Sequence, residues 1–161
     1  MKHKILSIVM LAALTLVVGA CSDDKDDEKD SVNVEPAVPE YLTPGTDERP
    51  DWTAPDYTQF EFNMSLQVQL GDTLVNFQSE NDLVAAFISE DVRAVTGPEV
   101  TAGEIYYPLS IAANGTDDTV ILKYYCDKLH RIYTISNWAT FDSSAPPTGD
   151  SGIYRPRFTG R

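Results

Sequence analysis

Phe60-Glu61-Phe62-Asn63-Met64-Ser65-Leu66-Gln67-Val68-Gln69-Leu70 alternates apolar and polar side chains without an error. In a β-strand successive side chains point to opposite faces, so residues 60, 62, 64, 66, 68 and 70 share one apolar face. Gly71-Asp72 follows as a turn signal. This stretch predicts a strand with one face on a core and one in water.

The same period recurs downstream. Ile105, Tyr107, Leu109 and Ile111 alternate, Asn114-Gly115 and Asp117-Asp118 make a turn, and Val120, Leu122, Tyr124 and Cys126 alternate next. Leu83-Val84-Ala85-Ala86-Phe87-Ile88 is a continuous apolar run that suits a central strand, although Asn81-Asp82 could also cap a short helix. Ser89-Glu90-Asp91 reads as a hairpin loop from which Val92-Arg93-Ala94-Val95 returns, and Thr96-Gly97-Pro98 turns the chain again. Arg131–Ile135 and Ile153 to Phe158 are further strands. No long 3.6-residue period appears. The expected fold is all-β, a single antiparallel Ig-like β-sandwich of about seven strands over residues 52–161.

Upstream of residue 52 the chain has another character. Lys2 and Lys4 precede an apolar run from Ile5 to Val18, too short to span a bilayer alone. Gly19-Ala20 then precede Cys21, which resembles a bacterial lipobox. Residues 1–20 are therefore expected to be a lipoprotein signal peptide and Cys21 the lipid attachment site, its acyl chains anchoring the protein to a membrane. Ser22, Asp23, Asp24, Asp26 and Asp27 open an acidic run that resembles the surface-export signal of Bacteroidota-type lipoproteins. Pro36, Pro39, Pro44 and Pro50 continue it without any apolar period. Residues 21–51 are thus expected to form a disordered tether on the outer face of the outer membrane.

The 161 residues carry a net charge of −13. Residues 22–51 hold 11 acids against 3 bases, and residues 52–161 hold 14 against 7. An acidic balance of this kind excludes nucleic acid as a partner, because neutralising phosphates requires clustered Lys and Arg. A lipidated Cys21 leaves Cys126 without an intramolecular partner, and its parity with Tyr124 marks it as a small buried residue.

Trp52, the strand Phe60–Met64, Asp82-Leu83-Val84-Ala85-Ala86-Phe87-Ile88 with Val92-Arg93-Ala94, Tyr106-Tyr107-Pro108-Leu109 and Leu122-Lys123-Tyr124-Tyr125 follow one another in an order that resembles a small β-sandwich module of Bacteroidota surface proteins. The resemblance covers residues 52–127. Ala94 departs from it, standing where a Gly usually follows the Arg, and implies a different hairpin return. The resemblance implies an adhesion-like or interaction domain and carries no catalytic residues.

Catalytic chemistry finds little support. His130, in Asp127-Lys128-Leu129-His130-Arg131, reads as a turn residue, and no nucleophile elbow, zinc-protease motif or phosphate loop is present. Asn114–Asp118 supplies oxygens but lacks the rest of a calcium loop. Three Asp-Ser/Thr-aliphatic triplets, at residues 30, 72 and 118, resemble a short O-glycosylation motif. No enzyme, cofactor or metal is expected. The aromatics are the candidate ligand contacts. If Tyr107 and Tyr124 face the core, Tyr106 and Tyr125 face away, and Trp138 follows a strand; exposed rings of this kind stack on sugars. The competing arrangement is an outer sheet face covered by the chain's ends or by the Phe141–Gly152 loop, which would bury the same rings. The expected function is a non-catalytic binding or adhesion-like module on the cell surface, its partner a glycan or another surface protein. The alternatives are a glycan-binding accessory of a polysaccharide-uptake system and a pilus or matrix subunit.

Overall fold

The computed structural model describes residues 38–71, 73–116, 118–135, 139–148 and 152–159. The expected signal peptide, Cys21 and the acidic run lie outside them. Ten strands form among the described residues: β1 (Phe62–Val68), β2 (Leu83–Ile88), β3 (Asp91–Thr96), β4 (Glu99–Thr101), β5 (Glu104–Ala113), β6 (Thr119–Cys126), β7 (Arg131–Ile135), β8 (Ala139–Thr140), β9 (Ile153–Tyr154) and β10 (Phe158–Thr159). One sheet has the order β4-β5-β1-β9; the other runs β10-β7-β6-β2-β3, with β8 beside β6. The protein is all-β, two largely antiparallel sheets packed as a sandwich.

Alternation creates the core between the sheets. Met64, Leu66, Val68, Tyr107, Leu109 and Ile111 point inward from β1 and β5 to meet Val84, Ala86, Leu122, Tyr124 and Tyr133 from the other sheet. Each such burial contributes roughly 1.5–3 kcal/mol. The β1 pattern holds only in part. Phe62 is 37 % exposed where the strand reaches the end of the sandwich, and Phe60 lies before the strand with Arg93 over its ring at 4.9 Å. Arg93 reaches it because β3 carries a bulge: Ala86 pairs with Ala94 and Phe87 with Val92, leaving Arg93 as the extra residue. The hairpin itself turns on two residues, Ser89 and Glu90, both at positive φ. That conformation matches the twist of adjoining strands.

Asp82 caps no helix. It is fully buried, and its carboxylate accepts five hydrogen bonds: from Ser79 N (2.9 Å), Ser79 Oγ (2.9 Å), Asp127 N (2.9 Å), Tyr124 Oη (2.7 Å) and Tyr107 Oη (3.3 Å). One side chain thus ties the turn before β2, the end of β6 and an inward tyrosine from each sheet.

Residues 39–49, expected within the disordered tether, are part of the domain. Gly45 N donates to Leu129 O (2.7 Å) and Asp47 N to His130 O (2.9 Å). Ile132 N donates to Asp47 Oδ2 (2.7 Å), Tyr133 Oη to Tyr41 O (2.6 Å), and Arg131 Nε to Thr43 O (2.5 Å). Tyr41 and Leu42 pack against the core. These partners lie 83 to 92 residues away along the chain, so no local period announces them. Gly45 is required by close approach: a Cβ there would lie 2.6 Å from Arg131 Cγ and 2.7 Å from His130 O. Gly45→Ala is expected to cost about 1–3 kcal/mol, because the carbonyl belongs to a fixed turn. Urea unfolding checks the loss, and faster proteolysis within residues 38–50 identifies its source.

The C-terminal tail, expected as one strand, is two. β9 pairs in parallel with β1 (Gln67↔Ile153, Val68↔Tyr154), and β10 pairs antiparallel with β7 (Phe158↔Ile135). Pro156 lies between them and lacks the N–H that a continuous ladder needs. The tail crosses from one sheet to the other, and Tyr154 and Phe158 pack against the core on the way.

Candidate functional site

Of the two described aromatics expected to meet a ligand, Tyr106 and Tyr125, the structure leaves one on an open surface. Tyr125 points away from the sandwich interior as expected, yet it is only 1 % exposed. Its ring is closed off from solvent, with the N-terminal segment beside it. Arg49 donates to Asn81 O beside it, and the Arg49 guanidinium counters part of the upward shift that burial imposes on the Tyr125 phenol. Farther along the face, Trp52 meets Phe87 edge-on at 5.6 Å and Lys123 Nζ lies 4.5 Å above the same ring. Trp138 lies outside the described residues. Tyr106 is half-buried on the outer face of β5.

The four-stranded sheet has no such cover among the described residues. Its outward side chains follow from the β1–β5 register: Asn63 opposite Ala112, Ser65 opposite Ser110, Gln67 opposite Pro108. Asn63, Ser65, Gln67 and Ser110 are exposed, and Pro108 is half-buried. A shallow groove of about 410 Å³ runs between Ser65, Gln67, Pro108, Ser110 and Gly152. Sequence reasoning looked for rings and passed over these amides and hydroxyls, although the polar half of the β1 alternation already named three of them.

At one end of this face four side chains are linked. Tyr106 Oη donates to Glu104 Oε2 (2.6 Å), Gln69 Nε2 donates to the same oxygen (2.8 Å), and Arg155 Nη2 donates to Gln69 Oε1 (2.6 Å). The hydrogen bond from Tyr106 does most to hold the Glu104 carboxyl below its usual range, with Gln69 and the Arg155 charge adding to it. Tyr106 is fixed in place by these bonds, while Asn63 Nδ2 donates to Ser110 Oγ (2.7 Å) at the other end. Ser65 and Gln67, between the two, have no side-chain hydrogen-bond partner among the described residues. The arrangement offers uncommitted neutral donors and acceptors beside a tyrosine ring and a proline ring.

The other polar constellation is sealed. Tyr107, Tyr124 and Tyr133 line up through the core, with Tyr124 centred 6.0 Å from Tyr107 and 5.9 Å from Tyr133. Burial raises all three phenols, that of Tyr133 up to about 12, and the Asp82 charge adds to the rise for Tyr107 and Tyr124. A phenol raised in the folded state favours folding below the ordinary value of about 10 and loses that contribution as pH climbs through the folded value. Alkaline titration is therefore expected to ionise these three only as the fold is lost, above about pH 11. Phenolate absorbance at 295 nm should rise in step with the loss of circular dichroism. Full ionisation of all the tyrosines near pH 10 with the dichroism intact would contradict it.

Cys126 is a free, buried thiol whose Sγ donates to Phe77 O (3.5 Å), and burial pushes its pKa up. His130 is exposed in its turn at φ 46°. Asn114 serves the turn, its Oδ1 accepting from Glu61 N (3.1 Å). Among the described residues no three His, Cys, Asp or Glu side chains are grouped to hold a metal ion. No family model, curated protein or solved structure matches the chain.

Proposed function

We propose that the chain is a surface-exposed outer-membrane lipoprotein whose β-sandwich is a non-catalytic binding module. The anchor half of this reading rests on Lys2, Lys4, the apolar run, Cys21 and the acidic residues that follow it. The binding half rests on one observation. Part of the outer face of one sheet, at Phe87 and Tyr125, is covered by the chain's own N-terminal segment, whereas the described residues leave the outer face of the other open, polar and grooved.

Metabolic labelling with palmitate tests the anchor: label on the wild-type chain and none on Cys21→Ala is the expected result, with protease shaving of intact cells removing the domain. Unlabelled wild-type protein would defeat it. The binding face is tested on cells displaying the chain. Gln67→Arg with Ser110→Arg, both at exposed positions, should abolish cell attachment to polysaccharide or protein-coated surfaces while surface display is unchanged. Equal attachment by the two strains would remove the face from the reading.

A further inference from the structure

Resting on that reading of the open sheet face, we infer that its ligand is a neutral glycan chain, held along the groove between β1 and β5. The charge of the molecule narrows the choice. The chain carries −13, and its field repels anionic polymers. The groove itself is lined by Ser65, Leu66, Gln67, Pro108, Leu109, Ser110 and Gly152, none of them charged. Arg155, at one end of the face, donates to Gln69 and has its charge partly offset by the neighbouring Glu104 carboxylate, and it is not part of the groove lining. Glu104 in turn is occupied by Tyr106 and Gln69. An uncharged ligand is the one this face does not penalise.

The available groups match a polyol. Ser65 and Gln67 supply hydroxyl and amide groups that both donate and accept, as the hydroxyls of a sugar do. Tyr106 and Pro108 stand two residues apart on the same face of β5, roughly 7 Å, and present rings to the C–H face of a pyranose. A protein partner would instead favour an apolar centre, and the exposed side chains along this groove are polar.

The test is affinity electrophoresis and calorimetry on the folded chain with hydroxyethylcellulose, xylan, mannan and galactan as neutral probes and polygalacturonate and heparin as anionic ones. At least one neutral polymer should bind. Tyr106→Ala should weaken it about tenfold and Gln67→Ala about fivefold, with Tyr106→Phe within about threefold because the ring remains. Circular dichroism of each variant keeps loss of binding separate from loss of fold. No retention by any neutral polymer, retention only by the anionic ones, or retention indifferent to all three substitutions would overturn the inference. Failure of the glycan alone, with attachment still lost on Gln67→Arg and Ser110→Arg, leaves a binding module with a protein ligand. Failure of both removes the binding reading as well.

Discussion

Replacing Asp82 with alanine is expected to cost about 3–5 kcal/mol, enough to leave a domain of this size largely unfolded at 37 °C. The carboxylate is fully buried and accepts from two tyrosine hydroxyls, two backbone N–H groups and a serine hydroxyl. Truncation strands those donors away from water, and an unmet buried donor costs about 1–3 kcal/mol. Asp82→Asn separates shape from chemistry. Its amide keeps the volume but turns one end into a donor facing donors, so it should recover no more than about half of the loss. Tyr107→Phe and Tyr124→Phe each remove one arm and should cost about 1–2 kcal/mol. A double-mutant cycle between Asp82 and Tyr124, at 2.7 Å, should give the larger coupling. Urea unfolding measures all of these, and an Asp82→Ala variant within 1 kcal/mol of wild type would refute the role given to this residue.

Ending the chain after Gly152 is expected to be comparably damaging. The deletion removes Tyr154 and Phe158 from the core, including the contact of Phe158 with Tyr124 at 5.6 Å. It also strips β1 and β7 of the short strands that cap their edges. Loss of two half-buried rings with the cavity they leave is worth about 3–5 kcal/mol. Newly exposed strand edges are templates for pairing with other chains. Thermal unfolding should show a lower midpoint, and light scattering should show association rising with concentration. Phe158→Ala alone should produce a smaller share of the destabilisation and none of the association, since it leaves the backbone pairings intact. A truncated chain that is monomeric and as stable as wild type would show the tail to be ornamental.

The glycan inference and these stability predictions use different halves of the same alternation. Inward residues of β1 and β5 make the sandwich, and outward residues of the same strands make the groove. A variant such as Gln67→Ala should therefore alter binding without moving the unfolding curve, and Asp82→Asn should do the reverse. That separation makes it possible to read a binding defect as a loss of contacts rather than of structure.

Strands β1, β2, β3, β5, β6 and β7 were legible because each carries its own local signal, a period of two or a dense apolar run bounded by turn residues. β4, β8 and the division of the tail into β9 and β10 were not. Two- and three-residue strands hold no period to read, and they exist only because a long neighbour offers unpaired backbone groups. Phe60 and Phe62 continue the alternation of β1 in sequence but outrun the facing sheet in space. The Arg93 bulge carries no local period of its own and is set by the pairing of β3 with β2.

The sequence alone determined that this is an all-β chain and most of the side chains its long strands turn to the core, because alternation is a property of neighbouring residues. It also marked the first 21 residues as an expected export and anchoring signal. Tertiary structure decided which outward residues stay outward. Tyr125 and Tyr106 have the same parity logic, yet one lies under the N-terminal segment and the other stands on the open sheet. The segment that carries Arg49 beside Tyr125 and Trp52 onto Phe87 is held by hydrogen bonds of residues 41–47 to partners some eighty to ninety residues away. Exposure is set by what packs on a surface, and no local pattern encodes what comes to pack there.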